Sequence, residues 1–305
     1  MLSDTFYWVL NMSITATLAG MVVLLMRQIR HIPRTVIYLL WLLPIVRFIM
    51  PFSLSYKYSI MNLLDGVLVK TVPLTTKGAM SEMTMTNCVR AAERYFPNEY
   101  KSNILQSVFS VVSVIWLVIA AIAFLASIIF YCAAKSEIRN AKHLEGNIYI
   151  SDKLLSPAVF GIFRPKIMLP GYFKEENMEF ILRHEEVHIK RFDNLWRVVA
   201  VVICCLHWFN PFAWHFLCKF LEDMELSCDE KVLRYCSEDQ KIRYAESLIE
   251  YETRKTVFSS AFGGVKTRTR IEKILSYRKL TVFSASFFTV LVIAVAVVFL
   301  TNAII

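Results

Sequence analysis

The sequence predicts a mainly α-helical integral membrane protein with four transmembrane helices. A helical domain with a small β layer is expected between the third and the fourth. Hydrophobic residues make up 56% of the 305-residue chain, whereas about 45–50% is usual in soluble domains. They are concentrated in four long stretches that are almost free of charge, and most charged residues lie in the segment between the last two stretches.

Each charge-poor stretch is long enough to cross a bilayer, which takes about 20 predominantly apolar residues. Arg47 is the only charged residue inside these stretches. The predicted transmembrane helices lie at about residues 5–26, 35–56, 104–132 and 280–305. The chain between the second and the third, residues 57–101, is expected to form an extracellular loop.

Basic residues beside the stretches predict the orientation, because Lys and Arg next to a span favour the cytoplasmic side. They follow the first and third stretches and precede the fourth: Arg27, Arg30, Arg34, Lys135, Arg139, Lys142, Lys273, Arg278 and Lys279. This predicts extracellular termini and a cytoplasmic domain over residues 135–279. The net charge of +9 is then explained largely by basic residues beside the membrane, where anionic lipid attracts them. The sequence contains no helix-turn-helix or zinc-finger pattern, so nothing in it predicts direct nucleic-acid binding.

The cytoplasmic segment is predicted to begin with short strands. Residues 147–151 and 166–170 are short and partly alternating, and Pro and Gly residues separate them, as is typical of strands joined by turns. A helix is expected next, from about residue 174 or 177 to Lys190, because acidic residues are enriched in its first turn and favour a helix N-terminus.

A strongly apolar segment follows at residues 195–220. Its uninterrupted apolar run is too short for a span, and Asn210-Pro211 breaks it. We therefore expect a buried or re-entrant helix pair. Three further elements are predicted after it: a helix at 221–235, a helix at 237–252 and a loop or exposed strand at 258–269.

Residues 184–188 read His-Glu-Glu-Val-His, an HExxH pattern. Positions four apart lie on one face of a helix, so the imidazoles of His184 and His188 can bind one zinc ion. Glu185 is then the general base that takes a proton from zinc-activated water. A solvated, charged helix face explains the same residues without a metal, since Glu186 and Lys190 are also present.

A zinc site of this kind needs a third protein ligand, and Glu225 is the candidate on a predicted downstream helix. Asp229, four residues later, could hydrogen-bond a ligating histidine and orient it. An ordinary acidic helix explains both residues equally simply. Asp193, which follows His188 by five residues, either braces the site, lies in an exposed turn or forms a salt bridge with Lys190 or Arg191. Cys228 is expected to be a small buried residue.

Four segments together resemble the BlaR/MecR family of membrane metallopeptidases: 160–170 (FGIFRPKIMLP), 184–193 (HEEVHIKRFD), 207–211 (HWFNP) and 225–232 (ELSCDEKV). Their order and spacing are similar to the family's over nearly the whole chain, as is the four-span layout. The resemblance implies a gluzincin-like zinc metallopeptidase domain. It also implies Zn²⁺ held by His184, His188 and Glu225, with Glu185 as the catalytic base.

The resemblance further implies signalling by regulated proteolysis, of the chain itself and of a cytoplasmic transcriptional repressor of the BlaI/MecI kind. It suggests the cell membrane of a Gram-positive bacterium and is compatible with a homodimer. The family's antibiotic sensors continue after the fourth span into a penicillin-binding domain, whereas this sequence stops at Ile305. Either the sequence is a piece of a longer chain or this member has no such sensor, so β-lactam sensing is not carried over from the resemblance. For self-cleavage, residues 259–270 are expected to enter the zinc cleft as an extended strand.

Two other classes of function are weighed against this interpretation. A non-proteolytic transmembrane signal transducer with a structural zinc site is the main alternative. Glu185 argues against it, because a structural site needs no general base. A transporter or channel is disfavoured, because Arg47 is the only charge inside the predicted spans.

Overall fold

The computed structural model describes residues 1–29, 31–50, 104–154, 156–171, 178–252, 267–277, 279 and 281–300. The helices are α1 (Leu2–Gln28), α2 (Arg34–Leu40), α3 (Leu42–Ile49), α4 (Ile104–Glu137), α5 (Met178–Lys190), α6 (Asp193–Leu206), α7 (Pro211–Leu233), α8 (Glu238–Glu252), α9 (Thr267–Leu275) and α10 (Val282–Leu300). The strands are β1 (Lys142–Glu145), β2 (Ile148–Ser151), β3 (Ala158–Phe160) and β4 (Lys166–Pro170). The predicted loop 57–101 lies outside the described residues.

Three of the described helices are long and apolar enough to cross a membrane: Leu2–Gln28 of α1, Ser107–Ser136 of α4 and Phe283–Leu300 of α10. They correspond to the first, third and fourth predicted spans. Helices α4 and α10 expose many large apolar side chains. Extensive exposed apolar surface of this kind marks a face that contacts lipid or another protein. With three helices of membrane-spanning length, the chain is a membrane protein.

The second predicted span is divided between two short helices in the part that the structure describes. Helices α2 and α3 are separated by Trp41 alone. Pro44 has no backbone N–H to bond the carbonyl four residues earlier, which weakens a continuous helix at this point. The count of four spans therefore stays a prediction. Arg47 is buried, and its Nε donates a 2.8 Å hydrogen bond to the carbonyl of Phe299 near the end of α10.

The strands form one mixed sheet in the order β1-β2-β4-β3. Strands β2 and β4 are parallel, and each pairs with an antiparallel edge strand. The strands predicted at 147–151 and 166–170 are confirmed as β2 and β4. One face of the sheet packs against α5 through a small apolar cluster formed by Val159, Ile167, Leu169 and Ile181. The sheet thus supports the helix that carries the HExxH residues.

The apolar segment 195–220 forms most of a helical hairpin made of α6 and α7. Asn210 caps α7, because its Oδ1 accepts a 2.9 Å hydrogen bond from the Phe212 N–H and the intervening proline suits the first turn. The Asn210 amide also donates to the hydroxyls of Ser13 (2.7 Å) and Thr17 (2.8 Å) in α1. The hairpin shares a buried apolar core with α1, α2 and α3. A re-entrant position within the membrane stays a prediction.

Helices α8 and α9 cover the end of α7. The helix predicted at 237–252 corresponds to α8. A capping box opens it: the Ser237 N–H donates to the Gln240 side chain, and the Gln240 N–H donates to the Ser237 hydroxyl. The loop or strand predicted at 258–269 is wrong over its last three residues, because α9 begins at Thr267. Tertiary packing outweighs the local composition here. The apolar cluster that holds α9 contains Phe180, Leu233, Tyr244 and Ile274.

A buried carboxylate of α7 holds the connection between α1 and α2 against the domain. Asp223 has no exposed surface. It accepts hydrogen bonds from Arg27 (2.8 Å), Arg34 (3.0 Å) and the Trp41 indole (2.9 Å). Two turns later, Glu230 accepts 2.8 Å bonds from the first backbone N–H groups of α2, which would otherwise lack helical partners. Helix α7 is therefore bonded directly to the membrane-proximal chain.

Candidate metal site

Helix α5 presents the two histidines of the HExxH pattern on the side that faces α7. His184 and His188 are one helical turn apart, and both are buried. Their Nε2 atoms are 3.2 Å apart. Glu185 is also buried and lies beside them on the same helix. Two nitrogen donors are thus brought to one point by local helix geometry.

Glu225 of α7 adds a third donor to this point. Its Oε2 lies 3.3 Å from Nε2 of His184, and its Oε1 lies 3.5 Å from Nε2 of His188. Arg197 of α6 donates a 2.7 Å hydrogen bond to Oε1. Burial raises the pKa of Glu225, but the charge of His188, the hydrogen bonds of both histidines and the Arg197 guanidinium hold it well below its usual range. The carboxylate is therefore in the ionised form that binds metals.

The turn between α5 and α6 places Asp193 behind His188. Phe192 in this turn has a φ of 56°, the left-handed conformation that commonly ends helices but is uncommon for residues other than glycine. The buried Asp193 accepts hydrogen bonds from His188 Nδ1 (2.7 Å), the Tyr38 hydroxyl (2.8 Å) and Arg191 (2.5 Å). Because Nδ1 of His188 donates to Asp193, Nε2 is the atom that would bind a metal when the imidazole is neutral.

Asp229 occupies the equivalent position behind His184. The Tyr244 hydroxyl donates to Asp229 at 2.5 Å and lies 3.0 Å from His184 Nδ1. The Asp229 carboxylate lies 3.1 Å from the same Nδ1. The hydroxyl has one proton, which goes to Asp229, so Nδ1 of His184 is the donor to this pair. Arg270 of α9 completes the group with bonds to both carboxylate oxygens, at 2.8 Å and 2.6 Å.

The contacts around Asp229 and Tyr244 determine the protonation states of the two side chains. Burial raises the pKa of Asp229, but the charge and hydrogen bonds of Arg270 hold it well below its usual range. Burial and the adjacent Asp229 carboxylate raise the pKa of Tyr244 well above its usual value. Tyr244 is therefore a neutral donor and Asp229 a carboxylate. This is the protonation state in which the pair can orient an imidazole.

Cys228 offers a different set of donors. His184, His188 and Cys228 have ligand atoms that all lie within 4.8 Å of one another. The Cys228 sulfur lies 3.4 Å from Nδ1 of His188, the nitrogen that Asp193 already occupies. Burial raises the pKa of the Cys228 thiol, whereas zinc binds the thiolate. Cys228 is fully buried, as expected from the sequence.

The set of two histidines and Glu225 fits zinc. A tetrahedral site with metal–ligand bonds of about 2.0–2.2 Å separates neighbouring ligand atoms by about 3.3 Å. The two Nε2 atoms are 3.2 Å apart, and the two oxygens of Glu225 lie 3.3 Å from His184 Nε2 and 3.5 Å from His188 Nε2. The remaining nitrogen of each imidazole is engaged by a carboxylate, as is usual for metal-ligating histidines. The ligand class and spacing therefore match a zinc centre.

The structure brings five of the predicted site residues into one cluster: His184, His188, Asp193, Glu225 and Asp229. Glu185 is buried beside the two histidines in α5. The salt bridge of Asp193 with Arg191, one of the predicted alternatives, is present as well. Other residues of the cluster were not predicted: Tyr38, Arg197, Tyr244 and Arg270. They come from four different helices. For most of them no motif spacing marks the position. Only Tyr38 had a local signal: it lies near the basic residues at the start of the second predicted span. A tyrosine there indicates a position at the membrane interface and no role in a metal site.

Comparison with known proteins gives consistent matches. The family model described as BlaR1 peptidase M56 matches residues 7–276. The chain is similar to the regulatory protein BlaR1 of Bacillus licheniformis, with 31% identity over 146 residues. It is also similar to the methicillin resistance mecR1 protein of Staphylococcus aureus, with 31% identity over 123 residues. These alignments cover 44% and 39% of this chain but 24% and 20% of the two relatives, so the chain matches about a quarter or less of their length.

Proposed function

Because the chain belongs to the family described as BlaR1 peptidase M56, we propose that it is a membrane-embedded zinc metallopeptidase that acts in transmembrane signalling by regulated proteolysis. One observation carries the proposal: two imidazole nitrogens and one ionised carboxylate converge within 3.5 Å of one another. Buried polar groups are costly unless they are fully bonded, and clusters with perturbed pKa values are typical of functional sites.

The proposed roles follow from the donor atoms. His184, His188 and Glu225 hold the metal in a gluzincin-like set of two histidines and a glutamate. When bound, zinc supplies a Lewis acid that lowers the pKa of water and polarises a carbonyl group. Glu185 takes a proton from the attacking water and returns it to the leaving amine. The Glu185 carboxylate suits this role because it has to carry only one proton, from the attacking water to the leaving amine.

Asp193 and Asp229 are proposed to be positioning residues. Each accepts the Nδ1 proton of one ligating histidine and thereby directs the Nε2 lone pair to the metal. Each is in turn held by residues of other elements: Tyr38 of α2 for Asp193, and Arg270 of α9 for Asp229. The orientation of both imidazoles therefore depends on helices that adjoin the membrane-length helices.

The cellular setting is proposed from the charge pattern and the relatives. The domain over 135–279 faces the cytoplasm, the termini are extracellular and the second stretch completes four spans. The printed names of the relatives refer to regulation and to methicillin resistance. They support a transcriptional repressor of the BlaI/MecI kind as the cytoplasmic substrate, in a Gram-positive bacterium. Self-cleavage within residues 259–266, the part of the predicted segment that precedes α9, and a homodimeric assembly belong to the same proposal.

Substitution of two adjacent glutamates tests the proposal. The full chain is produced in Gram-positive cells together with a repressor of the BlaI/MecI kind, and both proteins are followed by mass spectrometry. Wild type should yield fragments of the repressor and of the chain itself, and Glu185→Gln should yield none. Glu186→Gln is the matched control, because Glu186 is exposed and pairs only with Lys190 among the contacts described. It should behave as wild type.

The outcomes separate the two classes of function. Equal fragments from wild type and Glu185→Gln would contradict the proposed catalytic role. If wild type binds zinc but produces no fragment of either protein, while it still changes repressor-controlled transcription, the non-proteolytic transducer with a structural zinc site is the better description.

A further inference from the structure

A cavity of about 320 Å³ lies beside α7. Its walls come from the connection between α1 and α2, from α7, from α9 and from the start of α10. Elements that are far apart in the chain therefore meet around one space. Its volume lies in the range of about 300–1,000 Å³ that is typical of small-molecule sites.

Basic side chains dominate the lining of this cavity. Its permanent cations outnumber its carboxylates by four to two, and His31 adds a further basic group: the cations are Arg34, Arg234, Lys273 and Lys279. Arg34 is paired with Asp223, and the two carboxylates are also engaged by other groups. Asp229 is bonded to Arg270 and Tyr244, and Glu230 is bonded to the N-terminus of α2. The field inside the cavity is therefore positive and favours an anion.

The position of the cavity relates it to the membrane. It is lined by His31 and Ile32, which follow the membrane-length helix α1, and by Thr281 and Ser284, which begin the membrane-length helix α10. The ends of two candidate spans thus meet at the same level. The basic residues at this level are those that predict the cytoplasmic side of the membrane. A cavity at that depth is next to the headgroups of the inner leaflet.

The cavity wall has an apolar part and a charged part, which suits an amphiphilic ligand. Apolar side chains of Ile32, Leu226, Leu233 and Ile274 form part of the wall, beside the charged groups. The hydroxyls of Thr281 and Ser284 lie where α10 enters its apolar stretch. A lipid can therefore place its phosphate group among the cations and its acyl chains along α10.

We propose that this cavity binds the phosphate-bearing headgroup of an anionic phospholipid. Guanidinium and ammonium groups form charge-assisted hydrogen bonds with phosphate oxygens, and basic pockets between membrane helices are suited to such headgroups. The cavity shares Asp229 with the metal cluster, so a bound headgroup packs against the residue that holds His184 and Arg270. The lipid site thereby joins α7, α9 and α10 on one side of the candidate metal centre.

Retention of lipid by the purified full chain tests the proposal. The chain is equilibrated in detergent with equal amounts of phosphatidylglycerol and phosphatidylcholine of the same acyl chains, and bound lipid is counted by native mass spectrometry. Wild type should retain phosphatidylglycerol in preference. The Arg234→Gln/Lys279→Gln variant should retain about 30-fold less, because each basic group near an anionic lipid contributes about a factor of five.

Two further variants keep the test specific. Lys135→Gln/Arg139→Gln removes the same charge from exposed residues at the end of α4, outside the cavity, and should retain the lipid as wild type does. Arg234→Lys/Lys279→Arg keeps the charge and should restore most of the retention. Equal retention of both lipids by wild type, or an equal loss in the control at α4, would overturn the proposal.

Soluble phosphate distinguishes the source of the ligand. A tenfold excess of glycerol phosphate, which has the headgroup chemistry without acyl chains, should leave phosphatidylglycerol bound. Complete displacement would identify a soluble phosphate compound as the ligand and overturn the lipid assignment. Neither zinc binding nor proteolysis enters these readouts, so the lipid site stands or fails independently of the proposed function.

Discussion

The hydroxyl of Tyr38 donates a 2.8 Å hydrogen bond to Asp193, and the same carboxylate accepts the Nδ1 proton of His188. Two hydrogen bonds through Asp193 therefore connect Tyr38, a residue of the second predicted span, to the proposed zinc ligand His188. The Tyr38 ring also stacks on Phe220 of α7. A shift of α2 relative to α7 would thus alter the support of His188, which offers a physical route from the membrane helices to the site.

The Tyr38→Phe variant tests this route. The ring and its stacking stay in place, but Asp193 loses the hydrogen bond from the Tyr38 hydroxyl. We expect zinc affinity to fall by about fivefold, because a hydrogen bond contributes about 1 kcal/mol. Competition with a chromogenic chelator measures the dissociation constant. Tyr235→Phe, at a position that is 75% exposed, is the control. An unchanged affinity in Tyr38→Phe would show that this bond does not support the metal ligand.

Arg270→Gln should destabilise the fold strongly. It leaves the buried Asp229 carboxylate without its guanidinium partner, and a broken buried ion pair costs about 3–5 kcal/mol. The midpoint of thermal unfolding should fall by at least about 6 °C. Arg268→Gln lies on the same helix, where an exposed pair with Glu272 contributes little, and should leave the midpoint nearly unchanged. Equal shifts for the two variants would refute a special role for Arg270.

Asp223→Asn should loosen the connection between α1 and α2. The amide removes the charge that Arg27 and Arg34 share, and its NH₂ group opposes their donors. Hydrogen–deuterium exchange should rise in α2 and in the facing part of α7. Glu222→Gln removes the adjacent carboxylate, which is partly exposed, and should change exchange much less. Protection of α2 that is as high in Asp223→Asn as in wild type would contradict this.

Cobalt substitution decides between the two sets of metal donors. Glu225→Gln should weaken metal binding by at least about tenfold, because it removes a charged ligand, whereas Cys228→Ser should retain the metal. Co²⁺ in the wild-type site should show no sulfur-to-cobalt charge-transfer band, because the proposed ligands are nitrogen and oxygen. Such a band, lost in Cys228→Ser, would assign Cys228 as a ligand and refute the proposed set.

The parts of the site that are local in sequence were predictable. His184 and His188 need only the 3.6-residue period of a helix. Asp193 follows them closely, but its burial depends on the left-handed turn at Phe192, which no glycine announces. Glu225 could be proposed from its residue type and from the family resemblance. Its approach to the histidines depends on how α7 packs against α5, which the sequence alone does not specify.

The parts that depend on tertiary packing were missed. Tyr244 and Arg270 reach Asp229 because α8 and α9 pack around Ile274. The residues before α9 predicted a loop from their small side chains, and a nine-residue helix is too short to be stable without such packing. In the second predicted span, hydropathy correctly indicated an apolar segment. The interruption at Trp41 depends on backbone bonding near Pro44, to which hydropathy is insensitive.

The metal content of the purified full chain tests the central claim most directly. After dialysis against metal-free buffer, elemental mass spectrometry should find close to one zinc ion per chain in wild type. Glu185→Gln should match it, since Glu185 is not a proposed ligand. His188→Ala and Glu225→Gln should hold little zinc while circular dichroism shows the same helix content. Wild-type protein without zinc, or zinc retained equally in all of these variants, would contradict a metal centre built from His184, His188 and Glu225.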